Sequence, residues 1–185
     1  MTTGSPALRA RLKRAESLGD RVMKVNHAGE QGAVCIYRGQ RWVATLVAPS
    51  LVAELAENQA HEERHRAIFA AELARRGVRR CRSYWSCAIG GAALGIVTAM
   101  LGRRAIAATT VAVERVVLRH LDEQRAALQT IDIQAVAAID DIAREEQAHH
   151  DASLRALGKA SRPLAVLMAI VSGSTEAVIW LGMRL

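Results

Sequence analysis

The sequence is poor in aromatic residues, and this shortage narrows the range of folds. Phenylalanine, tryptophan and tyrosine together make up 3% of its 185 residues. Because β-strands are enriched in aromatic and β-branched residues, a chain rich in alanine, leucine, valine and arginine but poor in aromatics favours helices over sheet. A chain of this length can bury one core. We therefore expect a single all-α domain.

Cysteine is equally scarce. The three cysteines, Cys35, Cys81 and Cys87, are odd in number and sparse, so they predict no disulfide framework and are typical of a reducing compartment. The first residues lead into a basic stretch without an apolar core, so we expect no secretory signal. We predict a flexible basic segment over residues 1–19 and one domain over residues 20–185.

Acidic residues are outnumbered by basic ones. The chain has 25 lysines and arginines against 18 acidic residues, and its formal net charge is +7. The basic residues are not interleaved with aromatics, and no nucleic-acid-binding motif accompanies them, so we expect no nucleic-acid partner. An anionic membrane surface suits the same charge, and we expect the membrane surface to be a partner.

What the sequence does contain is a repeated pair of a glutamate and a histidine three residues apart. The first pair is Glu62 and His65, and the second is Glu146 and His149. Residues three apart on a helix lie on one face, so the carboxylate and the imidazole can reach the same metal ion. One such pair is a weak signal, because most are surface pairs. The repetition makes the signal strong.

A lone glutamate precedes each pair at a fixed distance. Glu30 lies 32 residues before Glu62, and Glu114 lies 32 residues before Glu146. One glutamate from each of two helices, with a Glu-x-x-His pair from each of two others, is the ligand set of ferritin-like bundles that hold two metal ions. The sequence therefore predicts a ferritin-like four-helix bundle with a two-metal centre.

The apolar pattern places the paired ligands on buried helix faces. Around Glu62 and His65, and again around Glu146 and His149, apolar residues recur at steps of mostly four and three. Burying an unpaired carboxylate is very costly, so this placement calls for a cation. We expect the domain to consist of two repeats, about residues 20–102 and 103–185.

Two segments outside the four bundle helices are strongly apolar. Residues 84–102 carry no charge, and the only acid of residues 164–185 is Glu176. The first segment has a borderline length for crossing a membrane. A single crossing would, however, put the ligands of the two repeats on opposite sides of the bilayer. We therefore expect two additional apolar, membrane-facing helices, with residues 84–102 in the interface or packed within the protein.

The predicted ligands define the class of metal. Four carboxylates would balance the charge of two divalent ions, and carboxylate with imidazole suits iron or manganese and leaves positions open for O2. We expect two iron ions per chain, with manganese as the less favoured alternative. The predicted ligands are Glu30, Glu62, His65, Glu114, Glu146 and His149. We expect the remaining four histidines to be surface or supporting residues rather than ligands; they are His27, His61, His120 and His150.

Several motifs also carry a family resemblance. The most specific is the run Asn-His-Ala-Gly-Glu at residues 26–30, and the others are residues 62–65, 110–114, 145–151 and 180–185. Together they resemble the demethoxyubiquinone hydroxylases of ubiquinone biosynthesis, over the range from Asp20 to Leu185. Two positions depart from that family, because Leu121 stands where an aromatic residue is usual and Gln31 stands where many members have tyrosine.

The resemblance implies a function. It implies a peripheral membrane di-iron monooxygenase that uses O2 to hydroxylate the ring of a polyprenylated demethoxy-benzoquinol late in ubiquinone biosynthesis, with electrons from the quinol or from NADH. It implies the same six iron ligands, with Glu62 and Glu146 in the bridging positions. The location expected is the cytoplasmic face of the cell membrane.

Other functions and partners stay open. The same six ligands would serve another ferritin-like di-iron oxidase or peroxidase, which would not need residues 84–102 to be so apolar. A non-enzymatic iron-binding bundle is a further alternative. A homo-oligomer and other ubiquinone-biosynthesis proteins are open as additional partners.

Overall fold

The computed structural model describes residues 10–185, and within them every regular element is helical. The six α-helices are α1 (Leu18–Val47), α2 (Val52–Arg75), α3 (Tyr84–Met100), α4 (Arg103–Leu128), α5 (Ile133–Leu157) and α6 (Arg162–Gly182), with a short 3-10 helix at Pro49–Leu51. The prediction of an all-α bundle with two additional apolar helices is confirmed, since α3 and α6 are the apolar pair.

Helix α1 begins with a capping box formed by Ser17 and Asp20. Ser17 is the N-cap, and its hydroxyl accepts a hydrogen bond from the backbone N–H of Asp20. The Asp20 carboxylate in turn accepts one from the Ser17 N–H, which completes a capping box. Residues 1–9 of the predicted flexible segment lie outside the described residues, and Leu18 and Gly19 already belong to α1. The domain boundaries stay a prediction.

The six helices are arranged as two similar halves. Helix α1 packs mainly against α2 and α3, while α4 packs mainly against α5 and α6. Each half therefore has the same order, with two long helices followed by an apolar one. The long helices α1, α2, α4 and α5 form the bundle.

Helices α1 and α3 approach so closely that their backbones touch. A methyl group added at Gly91 would collide with the carbonyl oxygen of Gly32, and one at Gly95 would collide with that of Ile36. From the α1 side, a methyl group at Gly39 would meet the carbonyl oxygen of Ala92. Because glycine has no side chain, Gly91 and Gly95 allow α3 to lie directly against the backbone of α1.

Two apolar clusters fill the bundle at different heights. One contains Val22, Phe69 and Leu128, and the other contains Tyr37 and Leu55, among other buried residues. Along α1 and α2 these clusters occupy opposite ends of each helix. The middle of the bundle, where the predicted ligands lie, is thus closed above and below by packed side chains.

Helices α3 and α6 leave large apolar side chains exposed. By length and composition alone, α6 is the one helix of the described residues that could cross a membrane. Only 6% of its apolar 18-residue stretch is buried in the protein. One face of α6 packs on α4, with Val171 buried and the Ser172 hydroxyl donating to the Ala112 carbonyl at 3.2 Å. The exposed residues of the two helices include Trp85, Ile89, Val97, Met100, Val166, Ile170, Trp180 and Leu181.

Candidate metal centre

The six predicted ligands all lie at the middle of the four bundle helices. In α2 the buried residues recur at steps of four and three, so the side chains of Glu62 and His65 turn into the core together, and Gln59 belongs to the same buried face. Five of the six are buried, with residue exposures of 6% for Glu30, 1% for Glu62, 1% for His65, 3% for Glu114 and 2% for Glu146. The side chain of His149 is 12% exposed.

Four of the six form one tight group. Glu30, Glu62, His65 and Glu146 each offer one ligand atom, and these atoms lie within 4.8 Å of one another. The Nδ1 atom of His65 is 2.9 Å from Glu146, 3.8 Å from Glu62 and 3.9 Å from Glu30. Nδ1 is therefore the ring nitrogen that faces the carboxylates, and the group could hold a metal ion.

The other two predicted ligands adjoin this group. The Nδ1 atom of His149 lies 3.6 Å from Oε1 of Glu62 and 3.9 Å from Oε2 of Glu146. Glu114 lies close enough to Glu146 for the two carboxylates to perturb each other, and both line the same cavity. Glu62 and Glu146 consequently lie between the two histidines, and each approaches both of them.

Several polar atoms of the group have no hydrogen-bond partner among the described residues. They are Oε1 of Glu62, Oε2 of Glu146 and Nδ1 of His149. Buried polar atoms without partners are rare in folded proteins because each loses its interactions with water. Unpartnered carboxylate oxygens and an imidazole nitrogen, facing one another, are the donor set that a divalent cation would satisfy, so the residues fit a metal.

The pKa values of the carboxyl groups also indicate a site for a cation. Burial and the neighbouring charges of Glu146 and Glu62 raise the pKa of Glu30 well above its usual value, and burial with Glu146 does the same to the pKa of Glu114. Burial also acts to raise the pKa of Glu62, but His149 and His65 outweigh it and lower that pKa to about 2. Ionising all of these carboxyl groups together is therefore unfavourable unless a further positive charge is present.

The histidines respond to the same charges. Burial acts to lower the pKa of His65, but Glu146 and Glu62 outweigh it and raise that pKa to about 11. The pKa of His149 is likewise raised, because Glu62 and Glu146 outweigh the effect of burial. Both shifts reflect the negative charge of the neighbouring carboxylates. A bound cation would balance that charge, since a metal ion is the largest local charge in such a site.

The second nitrogen of each imidazole has a partner on the opposite helix. His65 Nε2 lies 3.1 Å from Glu145 Oε2, and His149 Nε2 lies 2.6 Å from His61 Nδ1. Such partners orient a ligating imidazole and fix which nitrogen carries the proton. His61 contacts His149 rather than the carboxylates, which is the position of a supporting residue. Glu145 was missed, although it precedes Glu146 as His61 precedes Glu62.

The remaining histidines do not join the carboxylates. His27 stacks on Tyr84 with ring centroids 5.1 Å apart. His120 is buried, and its Nε2 lies 2.9 Å from Oε2 of Glu176. His150 pairs with the neighbouring Asp151. The expectation that these three histidines are surface or supporting residues agrees with their positions.

An apolar cavity connects the carboxylates with the surface of α3 and α6. It has a volume of about 260 Å³ and lies between α1, α3, α4 and α6. Its inner end is formed by Glu30, Glu62, Glu114 and Glu146, and Val178, which is 41% exposed, belongs to its outer part. Most of its wall is apolar or small, and the wall includes Gly29, Gly32, Ala33, Ile36, Leu94, Val113, Val117 and Ile179.

Comparison with known proteins gives a consistent result. Residues 17–182 match the family described as "Ubiquinone biosynthesis protein COQ7". A 3-demethoxyubiquinol 3-hydroxylase of Rhodospirillum rubrum is 34% identical over 169 residues, which cover 91% of this chain and 79% of that protein. A mitochondrial NADPH-dependent 3-demethoxyubiquinone 3-hydroxylase of Mus musculus is 32% identical, with 89% of this chain and 77% of that protein covered.

A human relative extends the pattern. The NADPH-dependent 3-demethoxyubiquinone 3-hydroxylase of Homo sapiens is 31% identical over 172 residues, which cover 90% of this chain and 77% of that protein. The family match and the relatives cover the four bundle helices and both apolar helices, and they agree with the resemblance found in the sequence motifs. The chain therefore belongs to the COQ7 family of ubiquinone biosynthesis proteins.

Proposed function

We propose that the protein is a di-iron monooxygenase that hydroxylates the ring of a polyprenylated demethoxy-benzoquinol in ubiquinone biosynthesis. The observation that carries this proposal is the apolar cavity that ends at four buried carboxylates. A cavity of this kind suits a substrate with a small polar ring and a long hydrocarbon tail. The names of the relatives, which are hydroxylases of demethoxyubiquinol or demethoxyubiquinone, support the substrate.

Six residues would hold the two iron ions. They are Glu30, Glu62, His65, Glu114, Glu146 and His149, and manganese is the less favoured metal. Glu62 and Glu146 each lie within 4 Å of both imidazoles, which supports the proposal that these two carboxylates would help to hold both ions. When bound, the iron ions would supply the redox chemistry that activates O2.

The residues of the chain would bind and orient the quinol. The apolar wall of the cavity excludes water from the reacting ring. Asn26 and Gln124 line the cavity and exchange two hydrogen bonds, at 2.8 and 3.0 Å. Because each amide has both donors and an acceptor, this pair can hold a quinol hydroxyl near the carboxylates. His120, held through Nε2 by Glu176, offers a further polar contact on the same wall.

The electron source and the place of action complete the proposal. A reduced nicotinamide dinucleotide would supply electrons. Relatives are named as NADPH-dependent, whereas the family resemblance implied electrons from the quinol itself or from NADH. The exposed apolar side chains of α3 and α6 would rest on the cytoplasmic face of the cell membrane without crossing it. Such a peripheral position would let the lipid-like substrate enter the cavity directly from the bilayer.

The proposal can be tested with one reaction. The purified protein, loaded with iron in detergent, is given a demethoxy-quinol, a reduced nicotinamide and isotope-labelled O2, and the product is analysed by mass spectrometry. We expect two irons per chain and a product that has gained one labelled oxygen atom. Oxygen consumption without that product would favour another ferritin-like oxidase or peroxidase, and iron binding without oxygen consumption would favour a non-enzymatic iron-binding bundle.

A further inference from the structure

A second cavity lies where the start of α1, the loop before α3 and the end of the chain meet. It has a volume of about 600 Å³ and shares no lining residue with the apolar cavity that ends at the carboxylates. We call it the basic cleft, because six of the side chains that line it are cationic. These are Lys13, Arg21, Lys24, Arg79, Arg80 and Arg82.

The positive charge of the basic cleft is largely unbalanced. Its lining includes one acidic side chain, Glu16, which is already paired with Arg21 at 2.6 Å and with Lys24 at 2.8 Å. Among the described residues, Lys13, Arg79 and Arg82 form no ion pair, and all three are exposed. Clustered cations without acidic partners raise the local concentration of anions.

The floor of the basic cleft is rigid. Arg21 is only 2% exposed, and its guanidinium donates to Glu16 and to the carbonyl oxygen of Gly182 at 3.1 Å. The backbone N–H of Arg11 donates to the carbonyl oxygen of Met183 at 3.2 Å. These bonds tie the start of α1 to the end of α6. The unpaired cations of the rim therefore stand around a fixed base.

Exposed apolar side chains flank the basic cleft on two sides. The loop that carries Arg79 and Arg82 leads directly into α3, where Trp85 is 60% exposed, and α6 ends beside the cleft with Trp180 50% exposed. A guanidinium lies over each indole, Arg80 at 5.1 Å from Trp85 and Arg184 at 4.0 Å from Trp180. Tryptophan beside arginine is typical of the boundary between a bilayer and water.

We propose that the basic cleft binds the phosphate of an anionic phospholipid head group while α3 and α6 rest on the membrane. Arginine and lysine side chains recognise phosphate by charge-assisted hydrogen bonds, and the apolar flanks would lie along the acyl chains of the same lipid. A soluble phosphate compound shares the head-group chemistry but would make no use of those flanks. The inference rests on the proposed membrane contact of α3 and α6.

Vesicle co-sedimentation of the full chain tests the proposal. One set of vesicles contains phosphatidylcholine only, and a second also contains phosphatidylglycerol. The double variant Arg79→Gln/Arg82→Gln removes two cations from the cleft, and Arg144→Gln/Arg155→Gln removes two exposed cations from α5 as a matched control. We expect the cleft variant to bind the anionic vesicles roughly 30-fold more weakly, about fivefold for each cation. Its binding to phosphatidylcholine should be unchanged, and the control should resemble the wild type.

The other outcomes would overturn the proposal in distinguishable ways. Equal losses in both double variants would mean that only net charge matters. Equal binding of the wild type to both kinds of vesicle would leave the membrane contact but remove the head-group site. Failure to bind either kind would remove the membrane contact as well. If thermal melts show that inorganic phosphate or NADPH stabilises the wild type but not the cleft variant, while vesicle binding is equal, the ligand is a soluble phosphate compound.

Turnover in detergent separates this inference from the proposed reaction. Arg79 and Arg82 line no part of the apolar cavity. The cleft variant should therefore hydroxylate a demethoxy-quinol in detergent at the wild-type rate, and it should melt at the wild-type temperature. Loss of vesicle binding with retained turnover supports the lipid site. Loss of turnover in detergent would show that the cleft serves the reaction instead, and would overturn the lipid assignment.

Discussion

His61 and His149 face each other across the bundle, with Nδ1 of the first 2.6 Å from Nε2 of the second and the two rings 7° from parallel. In the equivalent position of the other half, the partner of His65 is the carboxylate of Glu145. A carboxylate makes an imidazole a stronger ligand, whereas a neutral imidazole partner only orients it. The two predicted metal positions are therefore supported by chemically different neighbours.

Replacing His61 should weaken one metal position more than the other. In His61→Ala, His149 loses the ring that orients it, and we expect iron affinity to fall about 10- to 100-fold at the position that His149 serves. Chelator competition measured by iron content should then show one weakly and one tightly held ion. His150→Ala is the matched control, because His150 pairs with Asp151 instead. Identical iron retention in the two variants would contradict the role of His61.

Glu146→Ala should abolish both iron binding and hydroxylation. This carboxylate approaches both His65 and His149, so its removal takes a ligand from both predicted ions. Iron content by metal analysis and product formation by mass spectrometry should both fall to background. Asp141→Ala, an exposed position on the same helix, should leave both unchanged. A fully active Glu146→Ala protein would rule out the proposed ligand set.

Filling the cavity should separate catalysis from metal binding. Ala33 lines the apolar cavity but contributes no predicted ligand, so Ala33→Phe should obstruct the quinol while iron content stays at the wild-type level. We expect kcat/KM for the demethoxy-quinol to fall about tenfold or more, which corresponds to about 1.4 kcal/mol. Ala67→Phe adds the same ring at an exposed site of α2 and serves as control. Unchanged turnover in the Ala33 variant would place the substrate elsewhere.

The contact between α1 and α3 predicts opposite effects at two adjacent glycines. Gly91→Ala should destabilise the protein by about 1–3 kcal/mol, because its methyl group would collide with the backbone of Gly32. Gly90 has open space where a methyl group would lie, so Gly90→Ala should be neutral or stabilise the helix by up to about 1 kcal/mol. Urea unfolding in detergent measures both. Equal stability of the two variants would argue against the close approach.

The Glu16 ion pairs predict a dependence of stability on pH. Burial acts to raise the pKa of Glu16, but Arg21 and Lys24 outweigh it and lower the pKa to about 2, from 4.5. A carboxylate with a depressed folded-state pKa stabilises the protein above its unfolded pKa and loses that contribution as the pH falls towards the folded value. Glu16→Gln should therefore cost about 1–2 kcal/mol at neutral pH, after allowance for solvent screening.

The measurement for Glu16 is unfolding free energy against pH. The difference between wild type and Glu16→Gln should shrink as the pH falls from 4.5 towards 2, since the wild-type carboxylate takes up a proton in that window. Glu54→Gln is the control, because Glu54 pairs with Arg103 at an exposed site and should contribute little at any pH. A difference that persists unchanged at low pH would mean that the Glu16 charge is not what stabilises the wild type.

That the six predicted ligands would lie together at the middle of the bundle could largely be predicted, because their placement follows from spacing along single helices and from the repeat. Glu62 and His65 share a face by helical periodicity alone, and the repeated spacing identified Glu30 and Glu114. Glu145 could not be found in this way, since its contact with His65 depends on how α2 and α5 are rotated against each other. The contact of His120 with Glu176 is hidden for the same reason, because it joins residues far apart in the chain on α4 and α6.

The orientation of the apolar helix α3 could not be predicted from the sequence. Residues 84–102 could be identified as apolar, but composition does not say which side of such a helix is buried. In the structure, Gly91 and Gly95 face α1, while Trp85, Ile89 and Met100 are left exposed. The segment therefore both packs within the protein and presents an apolar surface, and the two expectations were not exclusive.

The backbones of α1 and α3 meet at Gly32 and Gly91, where no side chain lies between the two helices. Glu30 lies two residues before Gly32 on α1. Ile89 lies two residues before Gly91 on α3, and it is 72% exposed. At this contact the backbone of α3 lies directly against the backbone of α1. A displacement of α3 at this contact would therefore be passed to the α1 backbone two residues from Glu30, with no side chain in between to absorb it.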